Sequence, residues 1–412
     1  MRVTMLLIGL AMLLPWSSTL NLLGLLEEAF AGSSRASTYA GAFSTTYLVS
    51  NFAVLAVERA RERTGAILRE PSRIVVLAGS MTALVTLVLA LVVATAYDRA
   101  TALYYLVGLC LLALGGFTAS LQSGTFRFSA KHDVSGKTTQ AIMAGQAVAG
   151  LLSSIVIFLL VPGGFQPARV GCIYLIITAA VVAASIAQFA RLLKRDAPYG
   201  QVPHATNSDA EEDLPPSADD TERPTRSVFE VELHSNRTEE ASAPELIKAT
   251  PPWRHASLCA LAVFLCFTCT LGVFPGVTVH LRPESISKPY FQPLLVLAFN
   301  IGDLLGRLVG PWSCLSRPLM QCFYGLLRFA FVPLIISCGM DGSSHVPQAF
   351  FGDVWPLFWV TLLGLTNGHL ATIAMMIGCE RFSPTAMSLW LNAGLAAGSI
   401  LSTLIAAAIF DD

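Results

Sequence analysis

Eleven times along its length this chain holds an apolar run of about 20 residues, the length a helix needs to cross a bilayer. A backbone in lipid must satisfy its own polar groups, so such runs fold as spanning helices and little else. The runs lie near 3–26, 38–57, 74–96, 101–125, 138–161, 170–193, 255–280, 289–311, 320–339, 354–378 and 386–409. Of the 412 residues, 54% are hydrophobic and only 13% charged, about half the charge of a soluble domain. The expected fold is an all-α polytopic membrane protein. The net charge of −1 gives no basis for nucleic-acid binding.

Lys and Arg set the orientation. Arg59, Arg61, Arg63, Arg69 and Arg73 crowd one loop, and Arg127, Lys131, Lys137, Arg191, Lys194 and Arg195 crowd two others. With the N-terminus cytoplasmic, about 15 basic residues flank the inner side and about 5 the outer, the sense of the positive-inside rule. Arg2 ahead of the first run and Ala29-Phe30-Ala31 after it imitate a cleavable signal. That run is too long for one and holds Pro15 and Trp16, so it reads as a retained span. Only Tyr97-Asp98-Arg99 separates the third and fourth spans, which should form a tight hairpin.

Between about 196 and 253 the composition turns to Asp, Glu, Ser, Pro and Thr, with Glu211-Glu212-Asp213 and Asp219-Asp220. Such a segment buries too little apolar area to offset its ordering entropy. It reads as a disordered acidic cytoplasmic linker between a six-helix bundle (1–195) and a five-helix bundle (254–412). Asn236-Arg237-Thr238 has the glycosylation pattern but falls on the inner side, where it would be inert. The nine cysteines sit almost entirely inside the apolar runs and suggest no structural disulfide. Cys266-Phe267-Thr268-Cys269 has CxxC spacing, yet mid-helix and without further ligands it reads as small buried thiols. No metal or cofactor is expected.

The eighth run carries Phe299-Asn300-Ile301-Gly302-Asp303-Leu304-Leu305-Gly306-Arg307. An ionisable residue at membrane depth costs at least ~2.5 kcal/mol even on lenient scales. Two in one span must therefore face the protein interior or a watery cavity. At helical spacing Asn300, Asp303 and Arg307 share a face, and Asp303 can pair with Arg307 at i,i+4. A structural ion pair is the plainer reading, and a solute-binding face the functional one.

Other polar or conformationally special groups recur in the spans: Leu14-Pro15-Trp16, Leu121-Gln122-Ser123-Gly124, Gln140-Ala141-Ile142-Met143-Ala144-Gly145-Gln146 running on to Gly150, Phe274-Pro275-Gly276-Val277-Thr278, and Thr366-Asn367-Gly368-His369-Leu370. In this order the set resembles the equilibrative nucleoside transporter family, over nearly the whole chain. The resemblance implies a major-facilitator-like fold lacking one helix, working by alternating access to pass nucleosides, with nucleobases a further candidate cargo. It implies that Asp303 and Arg307 hold the ribose hydroxyls, that Gln122 bonds the base edge, and that Leu13, Trp16 and Leu20 line the cavity. Asn300 would orient Asp303, and Phe274-Pro275 would kink a helix near the outer mouth. Gly145 and Gly150 would let helices approach closely, and His369 would stand on a cavity wall. The expected carrier is a monomer in the lipid bilayer of the plasma membrane, with an endolysosomal membrane as the other address.

Departures from the family pattern are Ser17 after Pro-Trp, His369 in place of an aromatic, the Ser123-Gly124 order, and Arg127 at a position that is usually small. These touch fine substrate preference and leave the ribose pair in place. Three other activities have some footing in these residues. Organic-cation or monoamine transport would want an unpaired acid in the cavity, where the fifth span offers Gln140 and Gln146. Proton coupling would use His369 or Asp303. An intramembrane aspartyl protease would need Asp98 and Asp303 to share one site, but Asp98 lies at a span end and Arg307 keeps Asp303 charged. The chain therefore reads as a carrier and not an enzyme.

Overall fold

A computed structural model of the chain describes residues 1–30, 33, 39–64, 70–133, 136–160, 166–196, 252–310, 315, 317–340 and 348–410. The acidic segment expected at 196–253 lies, apart from its ends, outside these residues, and so does Asn236. The first half supplies α1 (Arg2–Leu25), a short α2 (Glu27–Phe30), α3 (Tyr39–Arg63), α4 (Pro71–Ala96), α5 (Ala100–His132), α6 (Lys137–Leu160) and α7 (Pro167–Asp196). The second half supplies α8 (Pro252–Val273), α9 (Lys288–Val309), α10 (Pro318–Leu327), α11 (Phe331–Ile336), α12 (Val354–Arg381) and α13 (Pro384–Phe410).

Among the described residues ten helical stretches are long and apolar enough to cross a membrane, with α10 and α11 counted as one. Helix α3 is not among them, although it is 25 residues long. Ser44, Thr45, Thr46, Ser50 and Asn51 dilute its apolar character, and part of that polar face is spent inside the protein. Tyr47 Oη lies 2.8 Å from Thr118 Oγ1 of α5, and Asn51 Nδ2 donates to the same hydroxyl at 3.4 Å.

The span expected near 320–339 is present at Pro318–Ile336 and holds a 3-10 turn, Arg328–Ala330, between α10 and α11. One expectation is corrected. Pro275 does not kink a continuing helix: α8 has already ended at Val273, and the chain turns into a short 3-10 segment at Thr278–His280. Proline removes a backbone donor and clashes with the preceding turn, so ending the helix is the cheaper outcome here. By contrast Pro15 sits inside an unbroken α1, and the Thr19 hydroxyl donates to its carbonyl at 2.8 Å. The tight hairpin is present, with α4 ending at Ala96 and α5 starting at Ala100.

The helices pack in two groups. In the first, α1 lies on α6 and α7, α4 on α5 and α7, and α3 along α5; in the second, α9 packs on α12, and α8 on α10, α12 and α13. The groups meet through α6 against α9, and through α13 against α3 and α5. At the end rich in Arg and Lys one apolar core runs through both groups, joining Met5, Phe126, Met143 and Phe189 to Val263, Leu370, Met375 and Met387. At the opposite end each group has its own core, one around Leu22, Phe30, Phe43 and Leu103, the other around Phe291, Leu295, Ile335 and Val360. The two halves are thus sealed together at the basic end and separately packed at the other.

Candidate functional site

Four glycines build the site's frame. Gly302 and Gly306 on α9 face Gly364 and Gly368 on α12. A Cβ at any of them would collide with backbone of the opposite helix, at Thr361, Leu365, Phe299 and Asp303 respectively. Small residues at a four-residue spacing let two membrane helices approach backbone to backbone. That approach brings the Asn367 side chain to Asp303.

Asp303 and Arg307 are each only 3% exposed. Arg307 Nε donates to Asp303 Oδ2 at 2.8 Å, and Asn367 Nδ2 donates to Oδ1 at 2.7 Å. Arg307 also crosses to the first group, where Nη1 donates to the Met143 carbonyl at 2.8 Å and to Gln146 Oε1 at 3.2 Å. The carboxylate is therefore paired and aimed. Each of its oxygens accepts one bond here, and a carboxylate has room for about four, so capacity remains for donors from a solute.

Asn300 does not do what its spacing suggests. Its amide donates to Ser154 Oγ at 2.7 Å and to the Val296 carbonyl at 2.9 Å, and Asp303 is not among its partners. It joins α9 to α6, and Asn367 takes the orienting role instead. Gly150 makes this possible, because a Cβ there would strike the Asn300 side chain. Gly145 lets α6 lie directly on the α1 backbone at Leu6.

Gln122 is 9% exposed, and its Nε2 has no partner among the described residues. A buried unsatisfied donor costs about 1–3 kcal/mol. On α1, Leu13 and Trp16 are half-buried and Leu20 is 37% exposed. The Trp16 ring stacks on Tyr47 with centroids 4.1 Å apart. Phe274 is buried and stacks on Phe299 at 4.2 Å, fixing the end of α8 to α9. His369 is half-buried, with its ring edge-on to Tyr324 at 5.8 Å. Cys266 and Cys269 point to different partners, Asn367 and the Arg328 carbonyl, and among the described residues no His, Cys, Asp and Glu cluster could hold a metal. A cavity of about 210 Å³ lies between the α10–α11 break and α12, lined by Tyr324, Arg328, Trp359 and Thr366, and includes none of the expected substrate residues.

The basic end is closed by polar contacts between the halves. The Glu62 carboxylate accepts from Ser383 Oγ at 2.8 Å and from Thr385 Oγ1, while Arg59 pairs with it at 2.8 Å. Ser123 and Thr385 hydroxyls lie 3.2 Å apart. The sequence does not reveal this cluster, because its contacts across the halves join residues 262 to 323 positions apart, on span ends where polar residues are ordinary. Nor does it reveal Asn367 as the orienting amide, or Arg328, a fully buried base in another apolar run.

Two helical groups joined at one end, with a buried charged pair where they meet, form the frame of a membrane transporter. The fold resembles that of major facilitator superfamily transporters. The crystal structure of the transporter FucP in the outward conformation matches with a TM-score of 0.57 and 13% identity, over 98% of this chain and 91% of that one. A structure of the E. coli fucose:proton symporter FucP matches with a TM-score of 0.54 at 12% identity. The family described as Nucleoside transporter matches residues 109–407, and the chain belongs to it. Equilibrative nucleoside transporter 1 of Homo sapiens is 27% identical over 349 residues, 80% of this chain and 75% of the relative. Equilibrative nucleoside transporter 2 of Homo sapiens is 32% identical over 167 residues, 36% of each chain.

Proposed function

We propose that this protein carries nucleosides across a membrane down their gradient in either direction, by alternating access between its two helical halves. The observation that carries this reading is the Asp303–Arg307 pair, fixed on both carboxylate oxygens and held at the seam between halves. A carboxylate acceptor beside a guanidinium donor suits vicinal hydroxyls, and charge-assisted hydrogen bonds are the strong ones. The unpartnered Gln122 amide offers a donor to the base edge, and Leu13, Trp16 and Leu20 offer apolar contact to the ring. Family membership and the names of the relatives support the same substrate class.

The remaining parts of the reading follow from it. The chain crosses the membrane eleven times, α3 included, with the N-terminus inside. Residues 1–195 and 254–412 rock against each other, with 196–253 as an acidic cytoplasmic linker. The shared core and the Glu62 contacts close the cytoplasmic side, and the separate cores at the far end leave the outer side free to open. Solute at the seam near the midplane then meets one side at a time. The protein works as a monomer in the plasma membrane, since one chain supplies both halves. Asp303, engaged by Arg307 and Asn367, offers no unpaired acid for a cation.

Uptake of labelled uridine into proteoliposomes tests the reading. The expected result is saturable uptake, in either direction, that an imposed pH gradient leaves unchanged. Uptake that requires the pH gradient would favour proton coupling, and selective uptake of a monoamine would overturn the substrate class.

A further inference from the structure

Arg328 is 1% exposed and lies at the 3-10 break between α10 and α11. A short 3-10 stretch inside a helix often marks strain or a functional constraint. Its guanidinium touches only neutral groups among the described residues. Nε donates to Thr366 Oγ1 at 3.1 Å, Nη1 to the Cys266 carbonyl at 2.7 Å, and Nη2 to Thr270 Oγ1 at 2.8 Å and the Leu363 carbonyl at 3.2 Å. A buried charge with no ion partner beside it is costly, which a packing role alone does not explain.

A chain of hydrogen bonds leads away from it. Arginine has no acceptor, so Thr270 accepts from it and has one proton to give, which the Cys266 carbonyl at 2.8 Å and Asn367 Oδ1 at 2.7 Å share. The Cys266 thiol also donates to Asn367 Oδ1, at 3.4 Å. Two donors on Oδ1 leave the Asn367 amide one orientation, with Nδ2 aimed at Asp303 Oδ1, 2.7 Å away. One branch of bonds thus runs from Arg328 through Thr270 and Asn367 to that carboxylate, and Arg307 holds the other oxygen.

We infer that Arg328 is a positioning residue for solute recognition: through Thr270 and Asn367 it sets the rotamer of Asp303, and so the preference for a sugar bearing free hydroxyls. This rests on the proposal that Asp303 reads the ribose. Arg328 itself does not touch solute.

The test compares uridine with 2′,3′-dideoxyuridine in the full-length protein, measuring KM and maximal rate separately at matched membrane abundance. The wild-type protein should favour uridine by about tenfold or more, the size expected for hydrogen bonds to a charged group. Arg328→Lys and Thr270→Val should each raise the uridine KM and bring the ratio near unity, with dideoxyuridine kinetics little changed. The double variant should be no worse in ratio than either single one, as members of one chain are not additive. If Arg328→Lys fails to reach the membrane, Thr270→Val, an isosteric cut in the same chain, carries the test alone. An equal fall in maximal rate for both solutes with the ratio intact would overturn the inference and leave the ribose reading standing. A wild-type ratio near unity would overturn the ribose reading, and this inference with it.

Discussion

Asn367 Nδ2 lies 2.7 Å from Asp303 Oδ1 because Gly368, its neighbour, sits directly on the Asp303 carbonyl. Recognition geometry and helix packing are the same contact here. Gly368→Ala should push α12 off α9, an overpacking cost of about 1–3 kcal/mol, and weaken solute binding together with stability. Thermal unfolding in detergent and uridine KM should shift in step. A loss of stability with an unchanged KM would separate the two.

Removing one member of the Asp303–Arg307 pair strands the other in a buried site, a loss of about 3–5 kcal/mol. Asp303→Ala should therefore reach the membrane poorly. The exchange Asp303→Arg with Arg307→Asp should restore abundance and leave transport lost, because Asn367 and Met143 would then face the wrong partners. Surface labelling beside uptake checks this. Full transport in the exchanged protein would make the pair structural only.

Gln122 should behave in the opposite way. Its Nε2 has no partner to lose, so Gln122→Met should keep or raise thermal stability. Its uridine KM should rise about threefold to tenfold, the worth of one ordinary hydrogen bond. An unchanged KM would remove Gln122 from the site.

Asp353, just before α12 and outside the spans, accepts backbone N–H bonds from Glu284, Ser285 and Ile286 at 2.7–2.8 Å. Burial alone would raise its pKa, but these three bonds outweigh it and hold the carboxyl below its ordinary value. A folded value below the unfolded one gives stability that is fully present above the unfolded pKa, ~4, and lost as pH falls through the folded value. Hydrogen exchange at 284–286 should thus be constant from about pH 5 to 8 and speed up only below ~4, apart from the intrinsic rate. Asp353→Asn should speed it above pH ~4, where the wild-type carboxylate holds these amides.

The spans and the charged pair were legible because lipid leaves a sequence few options: apolar runs of one length, and charges that must turn inward. Same-helix spacing also placed Asp303 with Arg307 correctly. It misassigned the orienting amide for the same reason. Asn300 shares the helix face, whereas Asn367 reaches Asp303 only because four glycines on two helices let them touch, and that pairing is tertiary. Arg328 carried the signal that singled out Asp303, a charge in an apolar run, but its partners are all neutral and no spacing rule points to them. Helix α3 was readable as a span by length, while its low apolar content made sense only once Thr118 was seen beside Tyr47 and Asn51.

Counterflow of labelled adenosine into proteoliposomes, with no ion or proton gradient and with Arg307→Ala in parallel, tests the central claim most directly. Trapped unlabelled nucleoside should drive transient accumulation of label in the wild-type protein and none in the variant. Wild-type vesicles that show no accumulation, or a variant that exchanges as well as wild type, would contradict a carrier that reads nucleosides at this pair.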